Sequence, residues 1–171
     1  MMTSLVLTVI APDKPGLVEL LSQTIASNEG NWLESSMSRL AGKFAGILIV
    51  SVPENHADSL IEALQQLQSQ GLKVVAERST EADSPGESNN ITLELIGHDK
   101  PGIVREISQA LNRYSINVER LSTELVSGSM SAELLFKADA ELTVPAGVDL
   151  DDLQQSLEAI ANDLMVDITL N

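Results

Sequence analysis

The hexapeptide DKPGLV at residues 13–18 returns as DKPGIV at residues 99–104, 86 positions later in a chain of 171. An offset of half the length points to a duplication. Sliding residues 5–50 onto 91–136 without a gap gives 13 identities in 46 positions. They are Leu7/Leu93, Ile10/Ile96, the Asp-Lys-Pro-Gly quartet, Val18/Val104, Ser22/Ser108, Gln23/Gln109, Asn31/Asn117, Ser36/Ser122, Gly42/Gly128 and Leu48/Leu134. Past residue 136 the second copy carries extra residues around ADAELTVPAGVD, after which Leu60, Leu64 and Leu67 are answered by Leu153, Leu157 and Ile160. The period is longer than the roughly 20–50 residues of solenoid repeats, so the unit is a whole small domain. STEADSPGESNN has no apolar period and reads as a linker. The expected division is domain one over 1–79, linker 80–89 and domain two over 90–171.

Within each copy the apolar spacing passes twice from strand to helix and back. NITLELIG alternates, with Ile91, Leu93 and Leu95 on one side and Thr92 and Glu94 on the other, as a half-buried strand does. IVREISQALNRY then places Ile103, Ile107, Leu111 and Tyr114 at helical spacing. NVERLSTELVSG reads as a strand ending in a Ser127-Gly128 turn. SMSAELLF alternates again, with Met130, Ala132, Leu134 and Phe136 inward. DLDDLQQSLEAIAND is an amphipathic helix with Leu150, Leu153, Leu157 and Ile160 on its apolar side, and MVDITL closes as a strand. The first copy gives the same order, with poor alternation only in NWLESSMSRL. The fold class expected is α+β: two ferredoxin-like β-α-β-β-α-β domains, each a four-stranded antiparallel sheet with both helices on one face. A half of about 80 residues is near the lower limit for burying its own core, so the two copies are expected to pack as a pair.

Charge narrows the function. The chain carries −15, with 5 basic and 11 acidic groups in residues 1–88 and 5 and 14 in residues 89–171. Binding to nucleic acid draws on Lys and Arg neutralising phosphates, and no basic cluster is present. With no cysteine there is neither a disulfide nor a thiolate nucleophile. No apolar run reaches the roughly 18 residues of a membrane helix, and the start MMTSLVLTVIAPD lacks the basic region of a signal peptide. A cytoplasmic protein is expected. His56 and His98 have no nucleophile or metal partners in sequence, and no G-x-S-x-G or H-E-x-x-H occurs, so no catalytic group, metal or cofactor is assigned. Asp149, Asp151 and Asp152 read as a helix cap, and Trp32 as a packing residue between the copies.

The quartet falls between a strand and a helix. One reading makes Asp13 the N-cap and puts Pro15 early in the helix, where its missing N–H costs nothing. That leaves Gly16 and Gly102 unexplained, because glycine inside a helix costs roughly 0.8–1 kcal/mol against alanine. A glycine serves where another group must approach the backbone closely, and free amides at a helix start attract anions such as a carboxylate. Asn31 and Asn117 each lie 15 residues after their glycine, at the start of the second strand, which is expected to return to the edge of the loop. Asparagine carries an acceptor and two donors, so it can serve either end of a free amino acid. It can equally be an ordinary turn residue.

Two DKPG[LI]V loops, each followed by Asn at the same spacing in a β-α-β-β-α-β frame, resemble ACT domains, small regulatory modules that bind amino acids. The resemblance covers essentially the whole chain as two tandem copies. It implies a ligand site built from the loop and the asparagine: Asp13, Lys14, Gly16, Leu17 and Asn31 in the first copy, and His98, Asp99, Gly102, Ile103 and Asn117 in the second. It implies a non-enzymatic sensor binding a small amino acid, glycine or serine, at the seam between domains. The output passes to a protein partner such as a DNA-binding transcriptional regulator, with no direct nucleic-acid or membrane contact and with a homo-oligomer as a further assembly. The alternative is a ligand-free interaction and oligomerisation module whose glycine loops serve packing alone.

Overall fold

Strand β1 (Met2–Pro12) buries Leu5, Leu7, Val9 and Ala11, every second residue, as its alternation requires. In the computed structural model, which describes residues 1–79, 88–128 and 133–171, β1 leads through a turn into α1 (Leu17–Ser27). The hairpin β2 (Asn31–Leu40) and β3 (Lys43–Pro53) follows, then α2 (Ala57–Gln66) and β4 (Lys73–Arg78). The second copy repeats the order as β5 (Ser88–His98), α3 (Ile103–Arg113), β6 (Asn117–Ser127), β7 (Leu134–Pro145), α4 (Leu150–Leu164) and β8 (Val166–Leu170). The sheets run β2-β3-β1-β4 and β6-β7-β5-β8, with every neighbouring pair antiparallel. The chain divides into two units, Met1–Ala82 and Asp83–Asn171. The expected linker lies outside the described residues as far as residue 87, and Ser88 and Asn89 already belong to β5.

Each unit has one aliphatic core. In the first, Leu17, Leu21 and Ile25 of α1 and Leu60 and Leu64 of α2 close over Leu5, Leu7, Leu48 and Val50 of the sheet. Leu5, Leu7, Leu21, Leu48, Leu60 and Leu64 are at most 1% exposed, and full burial of such a side chain contributes roughly 1.5–3 kcal/mol. The second core repeats the arrangement with Ile103, Ile107 and Leu111 of α3 and Leu153 and Leu157 of α4 over Leu93, Leu95 and Leu142. Tyr114 seals one end, its hydroxyl 2.8 Å from that of Ser156. Leu150, expected on the apolar side of α4, is 39% exposed. Asp149 caps α4 as expected, accepting from the amides of Asp151 and Asp152. Trp32 is partly buried against the core of its own unit.

The register corrects the gapless alignment. Leu48 faces Leu7, whereas Ala140 faces Leu93. The offset between copies is therefore 92 residues at this strand, against 86 through the loop, and the six extra residues lie in the β6–β7 hairpin. The Leu48/Leu134 identity is accidental. The inward residues of β7 are Ala138, Ala140, Leu142 and Val144, displacing the expected set. Of that set Leu134 is exposed, Phe136 is partly buried, and Met130 and Ala132 fall outside the described residues. The first hairpin is tighter: Leu40 pairs with Lys43 across Ala41 and Gly42, both at positive φ, as a two-residue turn that follows the strand twist demands.

The quartet turns the chain in the same way twice. Each helix begins after the glycine: Gly16 has φ 89 and ψ 0, and Gly102 has φ 91 and ψ 0. Those are the angles of the third residue of a type II turn, whose second position favours proline. Gly16 and Gly102 thus sit at the N-cap, outside the helix, and Asp13 does not cap it. A Cβ on Gly16 would meet nothing within 4 Å, so backbone conformation, and no close approach, requires the glycine. Gly16→Ala should lower stability by roughly 1–2 kcal/mol through left-handed strain alone, read as a lower urea midpoint at unchanged slope.

Candidate functional site

The type II turn leaves the first amides of α1 without intrahelical partners and without a side-chain cap. Beside it the amide of Asp13 donates to the carbonyl of Gly42 at 3.0 Å, tying the loop to the β2–β3 turn. That bond brings the last residues of β2 alongside. Arg39, paired with Phe44 across the hairpin, places its guanidinium 3.4 Å from the Asp13 carboxylate. Lys14 reaches the other way and donates to the carbonyl of Gln70 at 3.1 Å. Asp13, Lys14, Gly16, Leu17, Val18, Glu19, Arg39 and Phe44 line an open cleft of about 350 Å³, within the range of small-ligand sites. It presents both signs of charge beside the helix start, over an apolar floor of Leu17 and Phe44. The Asp13–Arg39 pair is exposed, 33% and 72% for the two side chains, so it is worth only about 0.2–1 kcal/mol.

The second copy builds the same turn and fills its surroundings differently. The amide of Asp99 donates to the carbonyl of Leu134 at 3.3 Å, and His98 Nδ1 lies 3.0 Å from a Glu133 carboxylate oxygen. The position of Arg39 is taken by Leu125, which faces Phe136 as Arg39 faces Phe44. Deeper in, Val118 stands where the first copy has Trp32, and Ala140 where it has Leu48. These smaller side chains open an apolar groove of about 50 Å³ between α3 and β6, walled by Ile103, Val104, Leu121 and Phe136 and floored by Ala138 and Ala140. Leu121 on its wall is 51% exposed, as is Leu125 further along β6.

The expected site residues divide. Asp13, Lys14, Gly16 and Leu17 come together in the first cleft. His98, Asp99, Gly102 and Ile103 share the second turn, with Ile103 entering the groove. Asn31 and Asn117 do not return to their own loops. Asn31 pairs with Ser51, which pairs with Ser4, nine residues along β1 from Asp13. At about 3.3 Å per residue that is about 30 Å away, at the opposite end of the sheet. Asn117, opposite Thr143 and Asn90, stands the same distance along β5 from Asp99, and its amide donates to Glu119 at 2.9 Å. The strand that begins with Asn31 reaches the loop only at its far end, with Arg39. Counting back from the Ala41-Gly42 turn would have found Arg39, because a tight hairpin beside β1 must set its last residues against the loop that follows β1.

The ACT domain profile matches residues 3–77 and 89–171, and the chain belongs to the ACT domain family as two tandem copies. The glycine cleavage system transcriptional repressor of Escherichia coli (strain K12) is 24% identical over 173 residues, which cover 98% of this chain and 88% of that one. The crystal structure of an unknown protein from Galdieria sulphuraria superposes with a TM-score of 0.87 at 23% identity, covering 100% of this chain and 98% of that one. A crystal structure assigned to a glycine cleavage system transcriptional repressor gives a TM-score of 0.69 at 21% identity, over 100% and 97% of the two chains. The likeness to both structures is one of fold.

The groove of the second unit yields a stability prediction. Ala140→Leu restores the residue that the first copy carries as Leu48, 1% exposed. Filling the groove should stabilise the second unit by about 0.5–2 kcal/mol, measured as an increase in the denaturation midpoint.

Proposed function

We propose that this chain is a non-enzymatic, amino-acid-sensing regulator of transcription that acts through a DNA-binding protein partner. The observation that carries the reading is the first-unit cleft, where a carboxylate, a guanidinium and uncapped helix amides meet beside an ACT-type loop. A free α-amino acid offers complementary charges to each, and we take it to be a small one such as glycine or serine. Similarity to the glycine cleavage system transcriptional repressor supports transcription as the output. Binding shifts the protein only as far as the ligand prefers one of its states, so the signal is a change of conformation or assembly read by the partner.

The charge argues for an indirect effect on DNA. With −6 and −9 on the two halves of the sequence, a phosphate backbone is repelled. The apolar sides of α1, α2, α3 and α4 are committed to the two cores, and among the described residues α1, α2 and α4 carry no Lys or Arg to meet phosphates. Among the described residues no helix is long and apolar enough to cross a membrane, and a cytoplasmic site of action fits the reading.

A second reading has its own support. The groove between α3 and β6, with the exposed Leu121 on its wall, fits an interaction module that needs no ligand. Thermal denaturation against the twenty amino acids separates the two. A cognate ligand at 100 times its Kd should stabilise the fold by about 2.7 kcal/mol, whereas the module shows no shift with any of them. In a gel-shift titration at physiological salt the protein alone should leave DNA unshifted. A sequence-specific shift would overturn action through a partner.

A further inference from the structure

We infer that the two copies have diverged in ligand chemistry, so that the chain takes one neutral α-amino acid, in its first unit, by exchanging the Asp13–Arg39 ion pair. This deepens the proposed function and rests on that reading. The free cleft already holds a negative and a positive group 3.4 Å apart. An α-amino acid zwitterion carries the same two charges on groups joined through one carbon, and so can insert between them. Its ammonium meets the Asp13 carboxylate, and its carboxylate meets the Arg39 guanidinium, which is suited to two parallel hydrogen bonds. Both side chains are solvent-accessible, so opening the pair buries no unpaired charge.

The surroundings set the specificity. Glu19 stands on the wall of the cleft and disfavours an acidic side chain. Lys14 lines the cleft with its ammonium already engaged by the Gln70 carbonyl, so Arg39 is the anchor for the carboxylate. Leu17, Val18 and Phe44 supply the apolar floor. Arg39 is thus a binding residue assigned from the fold, since it is separated from Asp13 by 26 positions in sequence.

The second unit keeps one half of the pair. Asp99 repeats Asp13, and Ile103, Val104 and Phe136 repeat Leu17, Val18 and Phe44. Leu125 replaces Arg39, and the groove beside it is lined by apolar side chains apart from Ser108. A zwitterion at the second turn would find Asp99 for its ammonium and aliphatic carbon where Arg39 stands. The guanidinium beside that turn is Arg105, at the position of Glu19, 3.2 Å from where a Cβ on Gly102 would lie and paired with Glu106 at 3.6 Å. The loop motif alone therefore overstates the number of sites.

Titration calorimetry of the whole chain with glycine, L-serine and the other neutral amino acids tests the inference. The expected result is one ligand bound per chain. Arg39→Leu, which copies the second unit into the first, should weaken binding roughly ten- to hundredfold, the loss of a charge-assisted contact. Leu125→Arg, which copies the first unit into the second, should raise the count to two. Both positions are exposed, so neither change reaches a core, and circular dichroism confirms the fold of each variant. Two ligands on the native chain, or unchanged affinity in folded Arg39→Leu, overturns the exchange and the asymmetry while leaving amino-acid sensing intact. No binding of any amino acid to the native chain overturns both.

Discussion

Each unit depends on one backbone angle. At Gly16 and Gly102 the chain adopts φ near 90°, and that turn converts a strand direction into a helix that folds back over the sheet. Without it Leu17, Leu21 and Ile25 could not reach Leu5, Leu7 and Leu48. The preceding proline fixes one half of the turn, and the glycine permits the other. This explains why the longest unbroken identity between the copies is four residues long and lies in neither core. Core positions tolerate exchange among Leu, Ile and Val as long as volume and pattern are kept, whereas a φ near 90° strongly favours glycine. The same turn leaves the helix start uncapped and solvent-facing, so the geometry that makes the fold also makes the cleft.

The sequence disclosed whatever is written in local period. Alternation in β1 and β5 and the helical spacing of α1 through α4 follow from one face of each element meeting a core. Strand β2 was faint because it runs along the edge of the sheet, where only Trp32 and Met37 are partly buried and no alternation is enforced. Long-range features were illegible in local period for a different reason. The spacing of 15 residues after the glycine does not place Asn31; the expected topology does, because an edge strand two positions from β1 in an antiparallel sheet runs parallel to it and starts at the end away from the loop. The hairpin insertion was misplaced because β7 continues to alternate apolar and polar residues on either side of the true register. A shift by an even number of residues preserves that pattern. Only the cross-strand partners, Leu7 with Leu48 and Leu93 with Ala140, distinguish the two.

The two copies have kept what is sterically coupled and changed what is not. On the helix side of the sheet the cores remain aliphatic. On the open side they have parted. The first unit sets Val6 against Ile49, Thr8 against Ile47 and Val75, and Ile10 against Ala45. Ile10, Ile47 and Val75 there are 45–51% exposed. At the matching positions the second unit has Thr92 against Glu141, Glu94 against Asp139 and Thr169, and Ile96 against Lys137. Glu94 and Asp139 are like charges directly opposed, an arrangement that destabilises a sheet. One face is aliphatic and the other acidic on the same framework.

That divergence bears on what a duplicated domain can do. Two identical units would present the same cleft and the same sheet face twice, and any signal at one would be repeated at the other. Here the charged cleft and the aliphatic sheet face belong to the first unit, while the second has an apolar groove and an acidic face. On the proposed reading, a ligand discriminating by charge biases one unit more than its copy. An acidic face is repelled by DNA but complements a basic patch on a protein. The residues that separate these roles are few: Arg39 against Leu125, Trp32 against Val118, Ile47 against Asp139. All lie on strands whose backbones the register holds in matching places, so each exchange alters a surface without altering the fold beneath it.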